Sequence, residues 1–387
     1  MKMNIGIDKL SFYVPNLYVD MTDLAHARDT DPNKFHIGIG QDKMAVNPVT
    51  QDIVTLGANA AASILSDSDK EEIDMVIVGT ESSYDYSKAS AVAIHRLLGI
   101  QPFARSFEVK EACYGATAAL QMAKNYISEH PTRKVLVIAS DLSRYGLHSG
   151  GEPTQGAGAV AILVTSNPRI LTIENDSVFL TEDIYDFWRP SYSDFPIVDG
   201  PLSNETYIQS FSKVWNRHKD VTGLTLPDYD ALCFHIPYTK MGKKALQSVL
   251  PETDEQTQER LMKRYEESIT YSRNVGNLYT GSLFLGLISL LEVSNELAAG
   301  SKIGLFSYGS GAVSEFFSGR LVEGFKDQLA IKAHQELLDT RTKLTISEYE
   351  TIFSQTLPKN GESAVFDDDT LFSIEKVEKD IRFYKNK

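Results

Sequence analysis

Cysteine is scarce in this chain. Two occur in 387 residues, Cys113 and Cys233. Two distant thiols build no disulfide framework and give no metal-ligand spacing, so neither a stapled secreted domain nor a cysteine metal centre is expected. A reducing cytoplasm is the expected compartment. Long apolar runs are also missing; none approaches the about 20 residues that a membrane-spanning helix requires. The opening MKMNIGIDKLSFYVP is too short and too mixed to read as a secretory signal. Positive charge is in deficit: 38 Lys and Arg face 52 Asp and Glu, for a formal net charge of -14. That balance excludes a general nucleic-acid binder, which needs a basic field to meet phosphates. It leaves room for an anionic small molecule held by a local lysine cluster. There is no P-loop, no H-E-x-x-H and no G-x-S-x-G. GAGAVA at residues 156–161 imitates a dinucleotide fingerprint but leads into the strand-like AILV rather than a helix, so its context fails.

What is present is an alternation. MVIVGT, VLVIAS, VAILVT, ALCFHI and IGLFSY read as short buried strands. SAVAIHRLL, YGATAALQMAKNYI and LFLGLISLLEVSNEL read as helices between them. This order predicts an α/β architecture. The two halves also echo each other. Glu81 ends one apolar strand and His235 another; Cys113 and Asn277 each stand where a helix is expected to open; GAGAVAILV is answered by GSGAVSEFF. Order is kept at nearly constant separation, as an internal duplication predicts. The expected halves are residues 1–167, carrying Glu81 and Cys113, and 168–387, carrying His235 and Asn277. Beyond Phe316 the chain is expected to add strands and surface helices without chemistry.

Matched strand ends matter because ligands of open α/β sheets collect at the carboxyl ends of strands. Cys113 before a helix is expected to have a lowered thiol pKa, from the free N–H groups and partial positive charge there. Ala112, Gly115 and Ala116 leave room for a substrate. Glu81 offers a general acid/base, and His235 a donor that polarises a carbonyl. Asn277 serves either as a helix cap or as a carbonyl anchor. Alone, each fits a structural role; Cys233, inside ALCFHI, fits only that.

IGIGQDKM, VGTES, ACYGATAA, YDFWRP, PIVDGPLS, FHIPYTK, GNLYTGS and FSYGSG spread over most of residues 4–320. Together they make the chain resemble the 3-hydroxy-3-methylglutaryl-CoA synthase family of the thiolase superfamily, in its compact bacterial form. The resemblance implies a duplicated thiolase-like fold of five layers, αβαβα, and a homodimer. It implies a Claisen-type condensation of acetyl-CoA with acetoacetyl-CoA in the mevalonate route to isoprenoids. CoA thioesters would be substrates, and no cofactor, metal, nucleic acid or membrane is expected. By position in these motifs, Cys113 matches the nucleophile, Glu81 the general acid/base and His235 the residue that polarises acetoacetyl-CoA. Ser310 matches an oxyanion donor together with the Cys113 N–H. Asn277 and Tyr279 match acetoacetyl-site residues, Asp186 and Phe187 pocket positions near the acyl groups, Tyr145 a tyrosine close to the reacting centre, and Lys240 and Lys244 the contacts to CoA phosphates. Lys243 is expected on a solvated helix face. Ala116, Trp188 and Arg189 depart mildly from the pattern of relatives. A β-ketoacyl carrier-protein synthase III would also accept a Cys, His and Asn set, but has no use for Glu81. A non-catalytic acyl-CoA-binding protein would not be expected to keep both Cys113 and Glu81.

Overall fold

The computed structural model describes residues 3–386. Ten strands share one hydrogen-bonded sheet. They are β1 (Ile5–Tyr13), β2 (Ile73–Gly79), β3 (Arg105–Val109), β4 (Lys134–Ser143), β5 (Gly156–Ser166), β6 (Leu171–Ile173), β7 (Val178–Thr181), β8 (Ala231–Phe234), β9 (Lys302–Gly309) and β10 (Val313–Leu321). The order is β8-β9-β10-β6-β1-β5-β4-β2-β3, with β7 also paired to β10. All five strand segments read from the sequence lie in this sheet.

The principal helices are α1 (Ile53–Ala62), α2 (Ser90–Leu98), α3 (Gly115–Glu129), α4 (Gly200–Thr222), α5 (Thr239–Val249), α6 (Glu255–Ser268), α7 (Ser282–Val293) and α8 (Ile346–Ser354). Side-chain alternation along the strands assigns them to layers. Ile77, Val135, Val137, Val160 and Ile162 point to one face, where they pack with Ala119, Leu120 and Ala123 of α3 and with α7. Val76, Val78, Leu136 and Ile138 point to the other, against α1 and α2. In the second half, Cys233, Ile303, Leu305 and Phe317 join α3 and α7, while Leu232, Phe234, Phe306 and Phe316 meet α4, α5 and α6. Five layers result, αβαβα, with α3 and α7 in the middle. Strands covered on both faces must be apolar at every position, hence the unbroken runs VLVIAS and VAILV.

Pairing repeats across the halves. β2 runs parallel to β4, and β4 antiparallel to β5. β8 runs parallel to β9, and β9 antiparallel to β10. α7 is buried on every side from Ser282 to Leu291, as SLFLGLISLL, with no polar stripe, requires. Each fully buried Leu or Ile there contributes about 1.5–3 kcal/mol. The helix stops at Val293 and Ser294 is extended, four residues short of the LFLGLISLLEVSNEL reading. Ser and Asn favour local turns over helix continuation.

Candidate active site

The centre is built at the carboxyl ends of β2, β8 and β9. α3 begins only at Gly115, so Cys113 sits on the turn before it rather than in its first turn. Ala112 has φ 39, a left-handed conformation that costs a non-glycine residue about 1 kcal/mol and recurs at functional turns. Two glycines let backbones close on this turn. A Cβ on Gly79, the last residue of β2, would lie 2.3 Å from the Ala116 N. One on Gly309, the last residue of β9, would lie 2.5 Å from the Glu111 O and 2.8 Å from the Tyr114 N. Glu81 follows Gly79 from one side and Ser310 follows Gly309 from the other, so both reach the cysteine turn. The Cys113 Sγ–H donates to Glu81 Oε1 at 2.8 Å.

Acidic groups dominate the electrostatics. Burial, and next the neighbouring Asp141 carboxylate, raise the Glu81 pKa to about 8. Asp141 is wholly buried. Its Oδ1 accepts from the Thr80 hydroxyl at 2.9 Å, the Glu81 N–H at 2.9 Å and the Ser82 hydroxyl at 2.8 Å. Its Oδ2 accepts from the Thr280 N–H at 3.1 Å and the Thr280 hydroxyl at 2.5 Å. Thr280 belongs to the second half and Glu81 to the first, so one carboxylate pins the two. Motif matching passed over Asp141; the signal was there, a lone acid in the apolar strand VLVIASDLS. The expectation of a lowered Cys113 pKa is overturned. Burial and the charges of Glu81, Asp141 and Asp186 push the thiol up. A helix end two residues away supplies half a positive charge at most, and the carboxylates outweigh it. The thiol therefore stands protonated beside Glu81 rather than ionised.

His235 lies just past β8, nearly inaccessible. Its N–H donates to the Phe306 O at 2.7 Å and its carbonyl accepts from the Tyr207 hydroxyl at 2.5 Å. Burial lowers the imidazole pKa to about 3, so the ring is neutral at physiological pH, and Nδ1 has no hydrogen-bond partner. Asn277 does not cap α7, whose N-cap is Gly281. Its Oδ1 accepts from the Tyr279 N–H and the Ser282 hydroxyl, both at 2.8 Å. That fixes the short turn ahead of α7 and aims Nδ2 at the Tyr145 hydroxyl, 3.5 Å away. Tyr145, Phe187 and Tyr279 meet edge to face with centroids 6.0–6.2 Å apart. This three-ring wall brings together residues distant in sequence. Asp186 stands behind it: its carboxylate accepts from the Tyr308 hydroxyl at 2.7 Å and the Gly311 N–H at 3.0 Å, fixing the turn that carries Ser310. Arg189 donates to the Glu81 backbone carbonyl.

Lys240 and Lys244 lie one turn apart on α5. Lys244 is exposed, with Nζ 5.8 Å from the Tyr238 ring centroid. Lys243 is tied to Glu266 at 2.7 Å, in keeping with a solvated face. Among the described residues no cluster of His, Cys, Asp or Glu could hold a metal ion, and no helix is long and apolar enough to cross a membrane.

A thiol, a protonatable carboxyl in contact with it and a neutral imidazole, walled by aromatic rings, are equipment for acyl transfer followed by carbon–carbon bond formation. Comparison with known proteins agrees. The profile for the N-terminal part of hydroxymethylglutaryl-coenzyme A synthase matches residues 1–169, and that for the C-terminal part matches 176–260 and 252–366. A hydroxymethylglutaryl-CoA synthase of Enterococcus faecalis is 64% identical, over 99% of this chain and 100% of its own length. A polyketide-biosynthesis 3-hydroxy-3-methylglutaryl-ACP synthase of Bacillus subtilis is 33% identical, over 91% of this chain and 88% of its own. The crystal structure of an HMG-CoA synthase complexed with CoA superposes with a TM-score of 0.97 at 46% identity, covering 99% of this chain and 100% of that one. The chain belongs to the hydroxymethylglutaryl-CoA synthase family and is an acyl-condensing transferase.

Proposed function

We propose that the chain condenses acetyl-CoA with acetoacetyl-CoA through an acetyl-Cys113 intermediate. Glu81 takes the Cys113 proton as sulfur attacks the acetyl carbonyl. The carbon–sulfur bond to CoA then breaks, and Glu81 returns the proton to the departing thiolate. Ionised again, Glu81 removes a proton from the acetyl methyl group. The resulting enolate carbon attacks the ketone of acetoacetyl-CoA, which neutral His235 polarises by donating a hydrogen bond. The new alkoxide takes its proton from Glu81. Water cleaves the Cys113 thioester, releasing 3-hydroxy-3-methylglutaryl-CoA and the free thiol.

The N–H groups of Cys113 and Ser310 are the oxyanion donors in this reading. Asn277 and the rings of Tyr145, Phe187 and Tyr279 hold the acyl groups, with Asp186 supporting the Ser310 turn. Lys240 and Lys244 receive CoA phosphates as a local basic entrance on an acidic protein. CoA thioesters and water are the only small molecules the scheme needs; no cofactor takes part. The enzyme works as a cytoplasmic homodimer, with residues 1–167 and 168–387 as its two thiolase-like halves.

The observation that carries the proposal is the 2.8 Å contact between the Cys113 thiol and Glu81. A synthase that obtains its carbanion by decarboxylation has no need of a base there. The test is intact-protein mass after brief exposure to acetyl-CoA, then to acetoacetyl-CoA. An acetyl adduct on Cys113 that disappears as hydroxymethylglutaryl-CoA forms is the expected result. Discharge only by a malonyl carrier protein would point to a ketoacyl synthase, and a folded protein with a free thiol and no adduct would refute the nucleophile.

A further inference from the structure

Tyr145 lies on an irregular connection between the end of β4 at Ser143 and the start of β5 at Gly156, broken only by a 3-10 turn at Glu152–Thr154. Behind this connection is a cavity of about 710 Å³ bordered by Arg144, Gln155, Tyr349 and Phe353. On that side Leu147 packs against the cluster that holds Tyr349 and Arg144 lies over the Phe353 ring, and hydrogen bonds add to these contacts.

The hydrogen bonds converge on Gln155, a buried side chain. Its Oε1 accepts from two successive backbone N–H groups, Tyr145 at 2.7 Å and Gly146 at 3.2 Å. Gly146 has φ 95, a conformation open to glycine, which turns the two N–H groups into one concave grip. Because both partners there are donors, the amide oxygen must face them and the NH₂ must face away. The NH₂ donates to the Tyr349 hydroxyl at 2.9 Å. That hydroxyl donates in turn to Glu152 Oε1 at 3.2 Å. The Glu152 charge is met by Arg28 at 2.8 and 2.9 Å and by the His148 N–H at 2.8 Å. Every polar group of the chain Gln155–Tyr349–Glu152 thus has a partner, and a fully satisfied buried network fixes a single geometry.

The same segment touches the acyl pocket twice more. A Cβ on Gly151 would lie 2.6 Å from the Tyr145 Cγ, and one on Gly156 would lie 2.6 Å from the Asn277 O. Residues 151–156 therefore lie against both members of the Tyr145–Asn277 pair.

We infer that Gln155 and Tyr349 are positioning residues for the condensation step: they hold the Tyr145 backbone so that its ring closes the acyl pocket beside Asn277, and α8 is thereby part of the active-site architecture. The inference rests on the proposed roles of Tyr145 and Asn277 in holding the acyl groups. It extends the active-site architecture to α8, beyond Phe316, where no chemistry is expected from the sequence. Since Asn277 matches a residue of the acetoacetyl site and the Tyr145 hydroxyl lies 3.5 Å from its Nδ2, displacing Tyr145 acts on condensation more than on acetylation of Cys113.

Gln155→Met keeps chain length and removes the acceptor. Tyr349→Phe keeps the ring, which packs on Phe353 at 5.9 Å, and removes the hydroxyl. Gly151→Ala pushes the Tyr145 ring from its opposite side and needs no change in the network. Each full-length variant is compared with wild type in two single-turnover measurements, acetyl-Cys113 formation by mass and its discharge by acetoacetyl-CoA, with the melting temperature alongside. The expected result is a condensation step slowed about tenfold or more and a raised KM for acetoacetyl-CoA, with acetylation little changed. Equal loss in both steps tracking the melting temperature, or no loss in either, overturns the positioning role while wild-type acetylation leaves the family chemistry standing. A wild-type enzyme that never acetylates Cys113 overturns both.

Discussion

Replacing Asp141 by Asn removes a negative charge from behind Glu81 with little change in volume. Glu81 carries its proton up to about pH 8, first because it is buried and then because Asp141 repels its ionised form. Glu81 is therefore mostly protonated at pH 7. In the proposed scheme the ionised form accepts the Cys113 proton, so acetylation should rise with pH towards an inflection near 8. Taking away a like charge favours ionisation and moves a carboxyl pKa down. In Asp141→Asn the inflection should therefore move to lower pH, by about one unit for a neighbouring charge at protein-like screening. The variant also loses acceptor capacity for the donors of Thr80, Glu81, Ser82 and Thr280, a cost of about 1–3 kcal/mol in stability. The pre-steady-state rate of acetyl-Cys113 formation between pH 5.5 and 9.5, about the range in which the carboxyl titrates, separates the two effects. Destabilisation lowers the plateau; the charge effect moves the inflection. Glu81→Gln should abolish the inflection. An inflection that stays in place or climbs in Asp141→Asn, or one that survives in Glu81→Gln, would refute the reasoning.

Gly79→Ala places a methyl 2.3 Å from a backbone nitrogen, and since backbone cannot yield as a side chain can, β2 and α3 must part. We expect a loss of about 1–3 kcal/mol in chemical denaturation and a larger fall in acetylation than in CoA binding. Gly150→Ala, with open space at its Cβ, should match wild type. Lys240→Ala and Lys244→Ala should each raise KM for both thioesters about fivefold, near the 1 kcal/mol of a solvent-exposed ion pair. Neither should alter kcat, and the salt dependence of KM should flatten. A changed kcat with constant KM would move these lysines away from the phosphates.

Strand and helix identity was legible because both depend on local pattern. VLVIAS and VAILV could only be strands covered on both sides, and SLFLGLISLL only a helix surrounded by protein. The duplication was legible too, because the matched pairs β2 and β8, α3 and α7, β5 and β10 kept their order. The placement of Glu81, Cys113 and His235 was legible as well, since each ends a strand or precedes a helix.

Contacts between distant segments were not legible. That Asp141 bridges Thr80 and Thr280, that α8 reaches the Tyr145 loop through Tyr349, and that Tyr145, Phe187 and Tyr279 form one wall all depend on how the halves meet. Asn277 read equally as a helix cap or a carbonyl anchor; its actual partners are set by a turn that only packing stabilises. The thiol pKa had the wrong sign for the same reason: a helix end is a local feature, whereas the carboxylates that outweigh it come from 28 and more residues away in the chain. Sequence by itself determined the elements, their order and the candidate reacting groups, because these follow from local pattern and motif. The protonation states and the closure of the pocket were decided by tertiary structure alone, because burial and charge act through space rather than along the chain.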